Sequence, residues 1–475
     1  MRIDRRAPSA SRAVLACLLA LGLSGAAMGQ SADGAEPAEP LGLFQAYQSA
    51  LDYAPVIDER RALVDAGEQV VDQAKALRLP NISADARYTD ARYETGDVRI
   101  NPQTGAREDV LTTNRKTSYN YGINLTQPLY DRGVSTGLAE ARARREVAGA
   151  ELSATRQALA AQVAQAYLRV LRARATRSLA QAEAQAYRAR WDQMERRLER
   201  SLASRVDVLD ARVRFETALS DIARASNELD AARLGLERLT GRNPQTLLSA
   251  KPESMPLTDT PTDDRVAQWL EEAGRANPTV AVERERLMRA SETIAVRQAE
   301  RFPRLSLEAR YSDTNATDQL IQGEDARVLV RLQMPLFSGG GLTAGVDEAR
   351  ARRMAQSAAL EDAQRQAVID TRAAVNELRN AQRRIRVSRQ ALTTAEAQVE
   401  ASEEGLEVGV RDLVEVLDAR AQLFSIRRDL AEAAYDYLIA QVRLRTTTGE
   451  FQPGDLRELD RRYLDEVVAL QMGDE

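Results

Sequence analysis

Histidine is absent from the 475-residue chain, and cysteine occurs once, at Cys17. Ser-His-Asp, Cys-His and zinc-binding arrangements therefore have no raw material, and no spacing of carboxylates argues for catalysis by carboxylates alone. No enzyme, cofactor or metal site is expected. Aromatic residues make up 4% of the chain against 29% charged, with Ala and Arg abundant. That balance suits long helices better than a thick globular core. No stretch after the N-terminus approaches the roughly 18 continuous apolar residues of a transmembrane helix. Entry into a membrane would have to use strands.

Arg2, Arg5, Arg6 and Arg12 precede an apolar run over 13–23, and Ala27-Met28-Gly29 offers small residues for cleavage. Residues 1–29 read as a secretory signal peptide. Val14-Leu15-Ala16-Cys17 faintly resembles a lipoprotein site. Too little apolar sequence precedes Cys17 and the run continues beyond it, so lipidation is not expected. Removing this segment moves the net charge from −5 to −8 and leaves no cysteine. An acidic exported chain argues against nucleic acid as a partner.

The mature chain is duplicated. VDVLDAR at 206–212 returns as VEVLDAR at 414–420, 208 positions later, and EARARR at 140–145 returns at 348–353 with the same offset. Each half opens with helical sequence punctuated by prolines 25 apart, Pro55 and Pro80 against Pro278 and Pro303. The pattern then changes to period two. Ile82, Ala84, Ala86 and Tyr88 alternate with polar residues, as do Tyr119, Tyr121, Ile123 and Leu125. The second half repeats this with Leu305, Leu307, Ala309 and Tyr311, then Val328, Val330, Leu332 and Met334. This predicts four strands, at 81–90, 117–128, 304–313 and 326–336. Two hairpins covering an ordinary core would show the same alternation. Tyr88, Tyr93, Tyr119, Tyr121, Tyr130, Tyr311 and Phe337 cluster in or beside the strands, as an interfacial girdle would, which favours lipid on the apolar face. The stretch 91–116 reads as a long polar loop, and each half is expected to leave its strands at a proline, Pro128 or Pro335.

No proline occurs between Pro128 and Pro244 or between Pro335 and Pro453. Helical hairpins are expected at 134–240 and 341–448, breaking near 201–205 and 407–411. Their first helices are far too long for a compact domain. The domain plan is thus a signal peptide (1–29), a first repeat (30–250), a linker (251–262), a second repeat (263–450) and a tail (451–475). Asp207 and Asp210, and again Glu415 and Asp418, share a helix face just after each break, where the function is placed. The fold class is α+β, mainly α. Four strands cannot close a barrel, for which about eight is the minimum. Two, three or four chains would supply eight, twelve or sixteen.

Val408-Gly409-Val410-Arg411, the VEVLDA segment and Ala434-Tyr435-Asp436-Tyr437-Leu438 resemble the final coiled-coil hairpin of the TolC family. The two-repeat plan resembles it too, across essentially the whole mature chain. The resemblance implies a homotrimer in the outer membrane: a twelve-stranded transmembrane β-barrel continued by an α-barrel of coiled-coil hairpins through the periplasm. It implies a periplasmic adaptor and an inner-membrane transporter as partners, for efflux or type I secretion. Glu415 and Asp418 match positions that ring the family's periplasmic aperture, and Asp207 and Arg411 match its polar latch. The tyrosine expected five residues before Arg411 is Leu406 here. The tips expected to meet the adaptor are Val408-Gly409 and, in the first copy, Arg200-Ser201. The competing reading is a periplasmic coiled-coil interaction protein without a pore.

Overall fold

The computed structural model describes residues 40–469 except 101, 104, 244, 245, 317–322 and 465; the expected signal peptide and the faint lipoprotein site lie outside the described residues. The first half contains α1 (Leu43–Tyr53), α2 (Pro55–Ala76), β1 (Asn81–Ile100), β2 (Arg107–Asp131), α3 (Arg132–Glu199), α4 (Arg205–Thr240) and β3 (Thr246–Ser249). The second contains α5 (Asp263–Ala276), α6 (Pro278–Ala299), β4 (Arg304–Ala316), β5 (Gly323–Gln333), α7 (Gly341–Glu407) and α8 (Leu413–Thr448). α9 (Pro453–Tyr463) and β6 (Glu466–Ala469) follow. Pro55 and Pro278 each stand at the first position of a helix, where a missing N–H costs nothing.

β1, β2, β4 and β5 form one antiparallel sheet in the order β1-β2-β4-β5. Register carries the alternation across all four strands. Ile82, Leu125, Ala309 and Val328 stand in one row, and Ala84, Ile123, Tyr311 and Ala326 in the next. Farther out Tyr88 meets Tyr119, ring centroids 4.9 Å apart. This apolar face is bare: Ile82 is 67% exposed, Val328 73% and Leu332 68%. The other face holds Ser83, Asn124, Arg310 and Arg327 in one row. There Asn124 Nδ2 donates to Asp85 Oδ1 at 2.7 Å, and Arg331 Nε pairs with Glu308 Oε1 at 2.7 Å. A sheet wetted by hydrocarbon on one side and water on the other requires this division.

Three details depart from the sequence reading. Most of 91–116 is strand, with β1 and β2 in register out to Ile100 and Arg107. Polar residues stand on both faces of the stretch, and Tyr93, Val98, Ile100 and Leu111 among them keep to no single face, so it lacks the period-two signal of a half-buried strand. Pro128 lies inside β2, which continues to Asp131 past a register shift between Pro128 and Tyr130. Pairing with β1 has ended at Thr126 by then, and an edge tolerates proline. Pro335, in contrast, lies beyond its strand, because β5 ends at Gln333 opposite Arg304, the first residue of β4.

α3 runs unbroken for 68 residues and α7 for 67, about 100 Å each at 1.5 Å per residue. The return helices end at Gly241 and Gly449, both in the left-handed conformation. The main core lies where α1, α3, α8, α9 and β3 meet, around the fully buried Tyr167, Tyr435 and Tyr437. β3 pairs with β6 of the tail. Asp460 of α9 accepts the Leu43 and Phe44 N–H groups at 2.8 and 3.0 Å, capping α1. Tyr167 donates to the Leu41 carbonyl at 2.7 Å and accepts from Leu248 N–H at 2.9 Å. The tail thus completes a collar around the middle of the helices.

A Cβ on Gly449 would lie 2.1 Å from the Ala276 carbonyl oxygen, at φ +79°. Gly409 has φ +77° with open space around it. Gly449→Ala should therefore cost more than about 4 kcal/mol, and Gly409→Ala about 1–2 kcal/mol, read as thermal midpoints in mild detergent. Equal effects would rule out the close approach at Ala276.

Candidate functional site

Each hairpin turns in five residues, 200–204 and 408–412, and the two turns share one backbone. Leu202 N–H reaches the Arg197 carbonyl at 2.8 Å, and its repeat counterpart Val410 N–H reaches that of Gly405 at 2.8 Å. Gly409 takes a positive φ of 77°; its counterpart Ser201 takes 59° without being glycine. The difference between Arg200-Ser201 and Val408-Gly409 is therefore one of side chains, not of turn geometry. All four residues are exposed at the ends of the hairpins.

The return helices start on matching caps. Ser204 Oγ accepts from Asp207 N–H at 3.2 Å while the Asp207 carboxylate accepts from Ser204 N–H at 2.7 Å, a capping box. In the second copy Asp412 accepts from Glu415 N–H at 2.8 Å, and the Glu415 carboxylate pairs instead with Arg411 at 2.8 Å. The Arg411 stem lies on Gly405, where a Cβ would come within 2.6 Å of Arg411 Cγ.

The candidate residues are thus engaged in different ways. Arg411 and Glu415 are brought together within one helix turn. Asp207 is occupied by its cap. Asp418 is tied to α4 through an ion pair with Arg214, a residue the sequence reading missed. Asp210 makes no ion pair among the described residues. Leu406 is half-buried in an apolar cluster beneath the turns, with Tyr187, Met194, Leu413 and Leu417. Its place in the chain is one of packing.

Charge is also buried where the hairpins meet. Glu183 of α3 pairs with Arg428 of α8 at 2.9 Å. Burial nevertheless holds the Glu183 carboxyl above the usual carboxylate range. Burial and the adjacent Glu183 push the Tyr187 hydroxyl up to about 12. Arg190 is drawn down by burial and by Arg420 nearby, and donates to Gln193 at 2.7 Å. Among the described residues no group of three His, Cys, Asp or Glu is placed to hold a metal ion. The site offers paired charges at converging helix ends, an arrangement that can fit together or part.

The family model described as "Outer membrane efflux protein" matches residues 46–242 and 269–450, one stretch in each repeat. The chain belongs to that family. Outer membrane protein TolC of Vibrio cholerae serotype O1 is 29% identical over 426 residues, covering 88% of this chain and 93% of its own. Alkaline protease secretion protein AprF of Pseudomonas aeruginosa is 30% identical, covering 89% and 87%. Among solved structures, CusC superposes with a TM-score of 0.73 at 20% identity, over 87% of this chain and 93% of its own. VceC of Vibrio cholerae superposes with 0.68 at 19%, over 86% and 96%. These share the fold of long helices and strands. Membership places this protein in the outer membrane as an efflux channel.

Arg214→Gln would leave Asp418 unpaired. In mild detergent it should destabilise the protein by about 0.2–1 kcal/mol, the effect of one exposed ion pair, read as a thermal midpoint; an unshifted midpoint would discount the bridge. Glu415→Gln with Asp418→Asn should shift the reversal potential in a salt gradient toward lower cation selectivity. An unshifted potential would mean these carboxylates do not line the aperture.

Proposed function

We propose that three copies of this chain form a twelve-stranded barrel and an α-helical tunnel, the exit duct of a tripartite efflux pump or type I secretion system. The observation that carries this reading is the four-stranded sheet with a bare apolar face and two free edges, β1 and β5. Hydrocarbon tolerates an apolar face but not unpaired N–H and C=O groups. Ring closure by identical chains removes every edge. Continuous helices of about 100 Å then carry the lumen through the periplasm.

The partners are a periplasmic adaptor, meeting the turns at Arg200-Ser201 and Val408-Gly409, and an inner-membrane transporter behind it. Because both turns share one backbone, three chains offer six similar docking ends. AprF is named for alkaline protease secretion and CzcC of Cupriavidus metallidurans for cobalt-zinc-cadmium resistance. Relatives with such different names support a duct that conducts cargo chosen elsewhere, without chemistry of its own. A pore-free periplasmic coiled coil would have no use for an exposed apolar sheet face.

The deciding measurement is the mass of protein extracted from outer membranes in mild detergent, corrected for bound detergent. A trimer resistant to sodium dodecyl sulfate is expected. A water-soluble monomer absent from the membrane fraction would overturn the duct.

A further inference from the structure

The apolar face of the sheet has a height set by its rows. Leu305 and Leu332 stand in the row nearest the helices, and Tyr88, Tyr119 and Asn315 in the outermost aromatic one. Leu305 and Asn315 are ten residues apart on β4, about 33 Å along the strand. At a tilt of about 40° this spans roughly 25 Å of membrane, the height of a barrel's apolar band. The long helices leave from the other end of the strands, so the Tyr88–Tyr119 pair marks the boundary toward the cell exterior.

Just past that boundary the alternation continues with charged residues. Asp90 stands opposite Thr117, and Arg92 opposite Arg115, on the face that carries Tyr88 and Tyr119. Like charges directly opposite one another cost stability. Asp90 relieves half of the conflict, accepting from Arg115 Nε at 2.9 Å and Nη2 at 2.7 Å. Arg92 is exposed and makes no ion pair among the described residues. β4 ends at Ala316, opposite Ser118, so among the described residues no strand flanks Arg115 on that side. Over β4 and β5 the same face has the opposite sign, with Asp313 facing Glu324 across the strands. One positive charge is thus left over on β1 and β2, four residues beyond the tyrosines, about 13 Å along the strand.

We propose that Arg92, with the Arg115–Asp90 fork beside it, binds a phosphate on the headgroup of a glycolipid in the outer leaflet. The proposal rests on the reading of the apolar sheet face as lipid-facing. A phosphate monoester carries close to two negative charges and three acceptor oxygens, and a guanidinium meets two of those oxygens in parallel. Arg115 has five N–H donors and gives two to Asp90, so donors remain for the same phosphate. An anion between the two arginines turns their repulsion into attraction. The acyl chains of that lipid lie against Tyr88, Tyr119 and the apolar rows below, so one molecule is held at both ends. Free phosphate would gain the headgroup contacts alone.

The test uses the trimer extracted in mild detergent and stripped of co-purified lipid. Native mass spectrometry compares its binding of diphosphorylated lipid A with that of dephosphorylated lipid A bearing the same acyl chains. The phosphorylated form should bind roughly ten-fold more tightly or better, the worth of a hydrogen bond to a charged group; equal binding overturns the proposal. Arg92→Gln should abolish the preference. Arg310→Gln, on the water-facing side of the sheet, should keep it. Asp90→Asn releases Arg115 and should tighten the phosphorylated lipid by roughly two- to five-fold, a gain that damage to the fold does not produce. A preference that survives Arg92→Gln, or weakens with Asp90→Asn, overturns the site and leaves the trimeric duct standing. Competition by inorganic phosphate at the concentration of the lipid overturns the lipid as occupant. A water-soluble monomer absent from the membrane fraction defeats the lipid-facing reading and this proposal with it.

Discussion

A strand edge in hydrocarbon finds no water for its N–H and C=O groups, and the sheet of this protein presents two such edges, at β1 and β5. Everything else follows from satisfying them. The edges call for further copies, and the apolar rows running from Ile82 to Val328 call for lipid around those copies. Because α3 begins directly after β2, and α7 only a short turn after β5, the strands set where each long helix starts. Long helices with apolar residues exposed along α4 and charge buried between α3 and α8 make poor sense in an isolated chain. They make good sense as parts of a wall.

Much of this was legible in the sequence. The repeat offset located both hairpins and both turns, because punctuation acts through residues a few positions apart. Period two located the part of each strand that faces lipid. It could not locate the outer ends of β1 and β2, where water on both faces removes any reason for alternation. Nor could it place Pro128 inside β2, since tolerance of proline depends on which neighbouring strand has already ended.

The tip shows a second limit. The acidic positions were found by spacing and by family likeness, but their partners were not. Whether Asp418 meets Arg214 depends on how two helices are rotated about their axes, which no local pattern records. The Asp207 capping box, by contrast, was written in Ser204 and Asp207, three residues apart. It shows that equivalent acids in the two repeats have taken different work. Ser201 makes the same point for backbone: its left-handed conformation is dictated by the hydrogen bonds of the turn, not advertised by glycine.

The collar has a bearing on the order of events in the life of the chain. Asp460 supplies the cap for α1 across 417 positions, and β6 supplies the partner of β3. A polypeptide emerging from the N-terminus first holds α1 with open N–H groups until Asp460 arrives. The middle of the molecule is thus a completion check. Truncated chains leave the Leu43 and Phe44 N–H groups without their Asp460 cap and β3 without its partner strand.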